Sequence, residues 1–409
     1  MALTHPHELA TLPFNPLAPA VLADPYPFYA WLRDYDPLHW GVPGDPGAAG
    51  CWYVTRYEDA VEILKDDRFG RELSPPDQHD TAHPPDTAAT IVREWMVLRD
   101  PPVHTVLRSL VHRAFTPQVI ERWTPRITAI AAELIAPLAG RAEFDLMAEL
   151  ALPFPVRVVA EMLGVPPEDA PLFTPWTKDL AALIEFQQSP EIVRQGYQSM
   201  AQLVAYLRAV IAARRRTPQD DLISALLASN PDISEPVLLG ACTQLLFGGN
   251  DPVAYLIANG VTALLDAPDQ LAWLSHQPAT PVTAIDELMR YDSSVQMTFR
   301  VILTDLVWRG KSMHRGDTVA IVFGAANRDT RQFNAPDQLD LQRTPNRHLS
   351  LGQGIHYCLG AALARTEGRV VMDALMPLLP ALRLVDASIP YARTVAVRGP
   401  QQLRLARRA

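Results

Sequence analysis

The sequence predicts a mainly α fold with a small β-rich lobe, built as a single domain over residues 1–409. Apolar residues follow helical spacing through most of residues 125–265. The 38 prolines mark frequent stops between such helices. Segments rich in β-forming residues are short and scattered, at 51–55, 306–308 and 318–323. These three observations together favour many helices around one core, with a few strands to one side.

Composition and charge exclude several classes of protein. Of the 409 residues, 48% are apolar, which is enough for a large buried core. There is no apolar run long enough to span a membrane, and residues 1–15 lack the apolar centre of a signal peptide. Cys51, Cys242 and Cys358 are far apart, which suits a reducing cytoplasm and not a disulfide framework. A net charge of -9 argues against nucleic acid as a partner.

The N-terminal quarter of the chain reads as an arm followed by short elements. Residues 1–27 are interrupted by prolines and are expected to lie on the surface as an irregular arm. Short helices are predicted at 26–34 and 57–66, on either side of the strand at 51–55. Residues 74–86 are rich in Pro, Asp and His, and a loop of that length is either mobile or functional.

A helix that begins near Asp100 carries two basic residues on one face. Asp100 is a good N-cap, and the two prolines after it suit a first helical turn. His104 and Arg108 are four residues apart, so they project from the same side. This pair could hold an anionic ligand or could simply be solvated. Further helices are predicted at 125–139 and 146–163, and then within 170–216.

Residues 234–265 form the longest helical stretch, opened by Ser234. Because this stretch is apolar almost all round, it should run through the core. Its middle contains Gly248, Gly249, Asp251 and Pro252, which are costly inside a core helix. A defect at the centre of a core helix usually marks function or packing around a ligand.

The segment His348 to Gly360 places Cys358 behind a glycine-rich turn and before a helix predicted at 359–376. The helix N-terminus favours a thiolate, and Gly352 and Gly360 leave room for a flat ligand. A dinucleotide fingerprint fails because Tyr357 occupies its third glycine position. The patterns of zinc sites and c-type haem attachment are absent. A catalytic nucleophile, a buried structural cysteine and a thiolate ligand to haem iron remain open.

Residues 351–360 resemble the cysteine loop of the cytochrome P-450 family, Phe-Gly-x-Gly-x-His-x-Cys-x-Gly, with Leu351 in place of the phenylalanine. Residues 100–116 resemble the family's helix that binds haem propionates. Residues 248–252 resemble its Ala-Gly-x-Asp-Thr segment, with Gly248 replacing the alanine and Pro252 the threonine. The motifs occur in the family's order and cover almost the whole chain.

The resemblance implies haem b as cofactor and a role for each matching residue. Cys358 is implied as the iron ligand. The other implied cofactor-binding residues are His104, Arg108, Arg300, His356, Gly352 and Gly360. The implied catalytic positions are Gly248, Gly249, Asp251 and Pro252. The implied structural clamp consists of Glu287, Arg290 and Arg343. The positions that resemble lining of the substrate cavity are Leu245, Gly248, Gly249, Ser294, Val295, Gln296, Met297 and Val397.

The resemblance also implies an activity: insertion of one oxygen atom from dioxygen into a small organic substrate. Electrons would come from a separate ferredoxin and its ferredoxin reductase, and the chain would act as a monomer away from membranes. Two alternatives stay open. One is altered oxygen chemistry, such as peroxide-driven oxidation, oxidative coupling or rearrangement. The other is a haem protein that binds a ligand without catalysis.

Overall fold

The computed structural model describes residues 14–41, 50–72, 88–183 and 189–408, and helices dominate it. The α-helices in these ranges are α1 Pro19–Ala23, α2 Tyr26–Tyr35, α3 Tyr57–Ile63, α4 Ala88–Arg93, α5 Val103–His112, α6 Pro117–Ile135, α7 Pro153–Met162, α8 Phe173–Ala182, α9 Pro190–Arg216, α10 Leu222–Ser229, α11 Glu235–Asp266, α12 Pro268–Ser275, α13 Val282–Tyr291, α14 Phe323–Ala326 and α15 Ala361–Leu375. A π-helical turn, Met147–Ala151, precedes α7.

The strands form three small sheets at the edge of the helical body. They are β1 Leu38–Gly41, β2 Cys51–Val54, β3 Phe69–Gly70, β4 Glu143–Asp145, β5 Met297–Ile302, β6 Leu306–Trp308, β7 Lys311–Met313, β8 Thr318–Val322, β9 Leu382–Leu384 and β10 Arg404–Arg407. The largest sheet has the order β1-β2-β8-β5-β3, in which β2 and β8 are parallel and the other pairs antiparallel. The prediction of a mainly α fold with a small β-rich lobe is therefore confirmed.

Helix α11 is the axis of the helical body. Its 32 residues correspond to roughly 48 Å at 1.5 Å per residue. It packs against α7, α8, α9, α13 and α15. Ser234 occupies the N-cap, although its side chain makes no capping hydrogen bond, and Pro252 lies inside the otherwise continuous helix. The predicted core helix is thus observed, and it continues through Gly248, Gly249 and Pro252 without a break.

Several local predictions need correction. The N-terminal arm is not wholly irregular, since it contains α1, and Phe14 is buried in the core. Asp100 does not cap α5, whose N-cap is Pro102. Helix α6 begins eight residues before Pro125, which it contains. The predicted loop at 74–86 lies outside the described residues. Within the part of the chain that is described, no helix is both long and apolar enough to cross a membrane.

Candidate active site

Cys358 is held by a tight loop that leads directly into α15. Its amide donates a 2.8 Å hydrogen bond to the carbonyl of Leu351, and Gly360 is the N-cap of the helix. Gly352 and Gly354 adopt φ of +70° and +74°, a region that disfavours residues with a Cβ. At Gly354 a Cβ would also lie 2.4 Å from the carbonyl oxygen of Leu64. Glycine is therefore required at position 354, where the loop packs against the backbone of Leu64.

Burial and the helix N-terminus have opposite effects on the pKa of Cys358. In the chain alone, burial raises the pKa of its thiol, against smaller opposite effects of the Gly360 amide, Arg108 and Arg365. The helix N-terminus by itself does not produce the low pKa expected from the sequence. A thiolate at this position needs a bound cation in direct contact, which a metal ion would supply.

A cavity separates the Cys358 loop from α11. Leu245, Gly248, Gly249 and Pro252 line it on the α11 side, opposite Cys358. Much of the remaining wall is apolar, contributed by residues that include Met96, Val97, Phe115, Val159, Val253, Leu256, Met289, Phe323, Leu351, Leu359 and Leu363. Two of the glycines implied at the haem, Gly352 and Gly360, also lie on this wall. An apolar slot bounded by a thiol on one face suits a flat, bulky ligand.

The predicted pocket residues after α13 divide between two cavities. Ser294 and Val295 line the cavity beside Cys358, as expected. Gln296, Met297 and Val397 do not, and they border a separate small cavity toward the N-terminal arm. Alternation along the strand explains this: Thr298 and Arg300 of β5 face the Cys358 cavity, so the side chain of Met297 points to the opposite face. Sequence spacing alone did not fix which face was inward.

Basic side chains with unused hydrogen-bonding atoms cluster at one wall of the cavity. His104 is 2% exposed, and neither of its ring nitrogens has a hydrogen-bond partner among the described residues. Nε2 of His356 is also buried and has no partner in the described part of the chain, and the two imidazole rings lie 4.3 Å apart. Arg300 is 3% exposed and donates to the carbonyl of Phe299. Arg108 donates to the carbonyl of Tyr357.

The lowered pKa values of these basic residues indicate that a bound anion would stabilise the cluster. Burial, reinforced by Arg71, Arg300, His104 and Arg108, lowers the pKa of His356 to about 2. Burial lowers the pKa of Arg300 to about 10. Buried cations are stable only when paired, and no ion pair of Arg71 or Arg300 occurs among the described residues. The residues therefore fit a flat ligand that carries carboxylates at this edge and a metal ion above Cys358.

Two charged residues of the cavity wall were not anticipated from the sequence. Arg71 follows β3 and reaches the cavity beside Thr298. Glu367 of α15 is 1% exposed, its Oε1 has no hydrogen-bond partner among the described residues, and burial raises the pKa of its carboxyl well above the usual value. A buried acid within an apolar helix was the available signal for Glu367, whereas nothing local distinguishes Arg71 from other arginines.

The centre of α11 presents backbone to the cavity, and Gln244, one turn earlier in the helix, adds a polar side chain to the wall. Pro252 lines it and has no backbone N–H, so the carbonyl of Gly248 lacks the helical donor that residue 252 would normally supply. A Cβ at Gly248 would meet no protein atom within 4 Å. Asp251 is not part of the cavity wall. Its carboxyl accepts a 3.2 Å hydrogen bond from Asn250, which also donates to Thr177 of α8.

Glu287, Arg290 and Arg343 meet in a fully buried cluster next to α15. Glu287 and Arg290 are both 0% exposed, and two bonds of 2.7 and 2.8 Å join them. Arg343 donates to both carboxylate oxygens of Glu287, at 3.1 and 3.2 Å, and Asn346 donates to one of them. The cluster does not line the cavity. Its contacts tie the loop before Cys358 to α13.

Comparison with known proteins agrees with this geometry. The family model for cytochrome P450 matches residues 282–377. The mycinamicin IV hydroxylase/epoxidase of Micromonospora griseorubida is 36% identical over 405 residues, covering 97% of this chain and 98% of that protein. The vitamin D(3) 25-hydroxylase of Pseudonocardia autotrophica is 37% identical and covers 92% of each chain.

Solved structures share the whole fold. The crystal structure of P450BioI in complex with hexadec-9Z-enoic acid ligated acyl carrier protein superimposes with a TM-score of 0.87 at 33% identity. The match covers 95% of this chain and 99% of that one. The fold is thus shared over nearly the whole length of both chains.

Proposed function

Because this chain belongs to the cytochrome P450 family, and is therefore a haem b enzyme of the monooxygenase class, we propose that it oxygenates a mainly apolar product of secondary metabolism. Cys358 would hold the iron, and His104, Arg108, Arg300 and His356 would hold the carboxylates. When bound, the haem supplies dioxygen activation, which thiolate ligation favours by electron donation. The chain's own part is to bind and orient the substrate, exclude water and move protons.

The wall formed by α11 is the observation that carries the proposed substrate class. Bare backbone at Gly248 faces open space, and the neighbouring wall residues are Leu245 and Val295. Such a wall offers contact area but few hydrogen bonds, so shape and apolar surface should dominate recognition. Two of the relatives compared above are named for mycinamicin IV and vitamin D(3), and the third was solved with hexadec-9Z-enoic acid ligated acyl carrier protein.

A ligand screen tests the substrate class. Long-chain fatty acids, macrolides and steroids would be titrated against the ferric enzyme while the shift of the Soret band is followed. We expect binding by members of at least one class, weakened at least tenfold by Gly248→Val, which fills the open space. Thr262→Val, on the same helix outside the cavity, is the matched control. Exclusive binding of small polar molecules, or equal effects of the two variants, would contradict the proposal.

Asp251 is the proposed acid for proton delivery during oxygen activation. It lies next to Pro252, where no hydroxyl is available, and three residues after Gly248, to whose carbonyl Pro252 cannot donate. A water on that carbonyl would connect the acid to the cavity. We expect Asp251→Asn to slow NADH consumption by roughly tenfold or more, since general acids typically contribute a hundredfold or greater. If Glu367→Gln has this effect and Asp251→Asn does not, Asp251 is structural.

Pro252 also favours a second candidate function, peroxide-driven oxidation. The replacement of the family's threonine by proline removes a hydroxyl from the cavity wall. Turnover of a bound substrate with hydrogen peroxide alone would be compared with turnover supported by reduced ferredoxin. Faster product formation with peroxide would favour this second function over dioxygen insertion.

A surface beside the Cys358 loop supports the proposed ferredoxin. Val106, Ile355 and Tyr357 are exposed there by 58%, 48% and 39%, which is unusual for large apolar side chains. The exposed basic residues His112 and Arg113 lie next to them. Exposed apolar area next to exposed basic residues fits a small acidic electron-transfer protein.

Charge reversal tests this surface. Arg113→Glu should raise the ferredoxin KM severalfold and weaken its dependence on ionic strength, because less attraction remains to be screened, and should leave substrate binding unchanged. Arg383→Glu, at an exposed arginine in β9, is the control. Equal kinetics for the two variants would place the electron donor elsewhere.

A further inference from the structure

Arg71 belongs to the basic cluster of the cavity, and no ion pair among the described residues accounts for its charge. It follows β3 in the β lobe, and its side chain reaches the cavity wall. One terminal nitrogen donates a 2.9 Å hydrogen bond to Oγ1 of Thr298, and its Nε is buried with no partner in the part of the chain that the structure describes. A neutral hydroxyl does not offset a buried positive charge, so this guanidinium is undercompensated.

The residues around Arg71 increase its need for a negatively charged partner. Burial lowers the pKa of Arg71 well below its usual value, and the nearby guanidinium of Arg300 lowers it further. Arg71 in turn lowers the pKa of His104. Asp100 acts in the opposite direction on Arg71, Arg300 and His104, but its carboxylate is engaged elsewhere.

The carboxylate of Asp100 holds the backbone of the segment that carries Arg71. One oxygen, Oδ2, accepts from the amides of Arg71 and Glu72 at 2.8 and 3.0 Å. The amide of Asp100 donates back to the Glu72 carboxylate at 3.0 Å. A Cβ at Gly70 would lie 2.5 Å from the same Asp100 oxygen, so the glycine permits this approach. The arrangement fixes where the Arg71 side chain enters the cavity.

From these contacts we propose that Arg71 is a fifth basic residue that binds the haem carboxylates, and that Asp100 is its positioning residue. The proposal depends on haem binding and is independent of the substrate class and electron donor proposed above. A guanidinium forms two parallel hydrogen bonds with a carboxylate, and such charge-assisted bonds are stronger than neutral ones. Binding of the dianion would also relieve the repulsion between Arg71 and Arg300.

Haem release from the intact holoenzyme provides the first measurement. Transfer of haem to an excess of apomyoglobin would be followed by absorbance for the wild type, Arg71→Met and Arg71→Lys. We expect Arg71→Met to release haem roughly tenfold to a hundredfold faster, the effect of losing a hydrogen bond between charged groups. Arg71→Lys should recover part of the loss because it keeps the charge without the planar fork. Arg68→Gln, on the same segment but bonded to Asp66 at the surface, is the matched control.

The iron midpoint potential provides the second measurement, because a merely structural role would not shift it in a charge-dependent way. Loss of a positive charge beside the carboxylates disfavours the added electron, so Arg71→Met should lower the potential and Arg71→Lys should leave it near the wild-type value.

Two outcomes would overturn the proposal. One is unchanged haem release and potential in Arg71→Met. The other is weaker binding of hexadecanoate, but not of its methyl ester, with haem release unchanged, which would make Arg71 an anchor for an acidic substrate. If Arg71→Met yields no holoenzyme, the haem release rates of Arg71→Lys and Asp100→Ala still test the proposal. Both variants must release haem faster than the wild type, and wild-type rates in both would overturn the proposal.

Discussion

Replacement of Glu287 by alanine would leave two buried guanidinium groups without their carboxylate. Glu287 accepts two hydrogen bonds from Arg290, two from Arg343, and one each from Asn346 and the amide of Asp340. Glu287 and Arg290 are completely buried, and Arg343 is 9% exposed. Breaking a buried pair in this way costs about 3–5 kcal/mol. That is a large part of the roughly 5–15 kcal/mol by which folded proteins are stable.

The assay is the yield and unfolding of the holoprotein. We expect Glu287→Ala to give little soluble protein with bound haem, and to lower the urea midpoint of what is recovered. Glu191→Ala, which removes an exposed pair with Arg194, should cost about 0–1 kcal/mol. A well-folded Glu287→Ala protein with normal haem content and low activity would refute the clamp and make Glu287 a functional acid.

Two further substitutions test the backbone of the site. Gly354→Ala should sharply reduce haem content, because its Cβ would clash with the Leu64 carbonyl in a left-handed backbone. Gly140→Ala, whose Cβ would contact no described residue, is the control and should keep normal haem content. Haem per protein is measured by absorbance, and equal haem content in the two variants would show that the close approach at Gly354 does not matter for haem binding. Pro252→Thr should raise the free energy of unfolding by restoring a donor to the Gly248 carbonyl, and should change the ratio of product to hydrogen peroxide. An unchanged ratio would show that the missing hydroxyl does not control oxygen chemistry.

The parts of the site that the sequence predicted are those encoded locally. Cys358 and its glycines occupy one continuous segment, and the defect around Pro252 interrupts one continuous helix. Spacing within a single element therefore identified them. The fold class was predictable for the same reason, since apolar periodicity marks each long helix without reference to its neighbours.

The parts that the sequence did not predict depend on contacts between distant segments. Asp100 looked like a helix cap, but its carboxylate is used by the backbone at Arg71, 29 residues earlier in the chain. The inward face of β5 is set by pairing with β8, so Met297 could not be assigned from spacing. Glu367 becomes notable only because surrounding helices remove it from water.

A spectrum of the reduced carbon monoxide complex tests whether Cys358 is the thiolate ligand of the haem iron. Cys358→Ser would be reduced under carbon monoxide beside Cys51→Ser and Cys242→Ser, both of which remove thiols that are 0% exposed. We expect Cys358→Ser to lose the strongly red-shifted Soret band of a haem thiolate and the two control variants to keep it. Retention of that band in Cys358→Ser would contradict the claim, and its loss in a control variant would move the ligand to that cysteine.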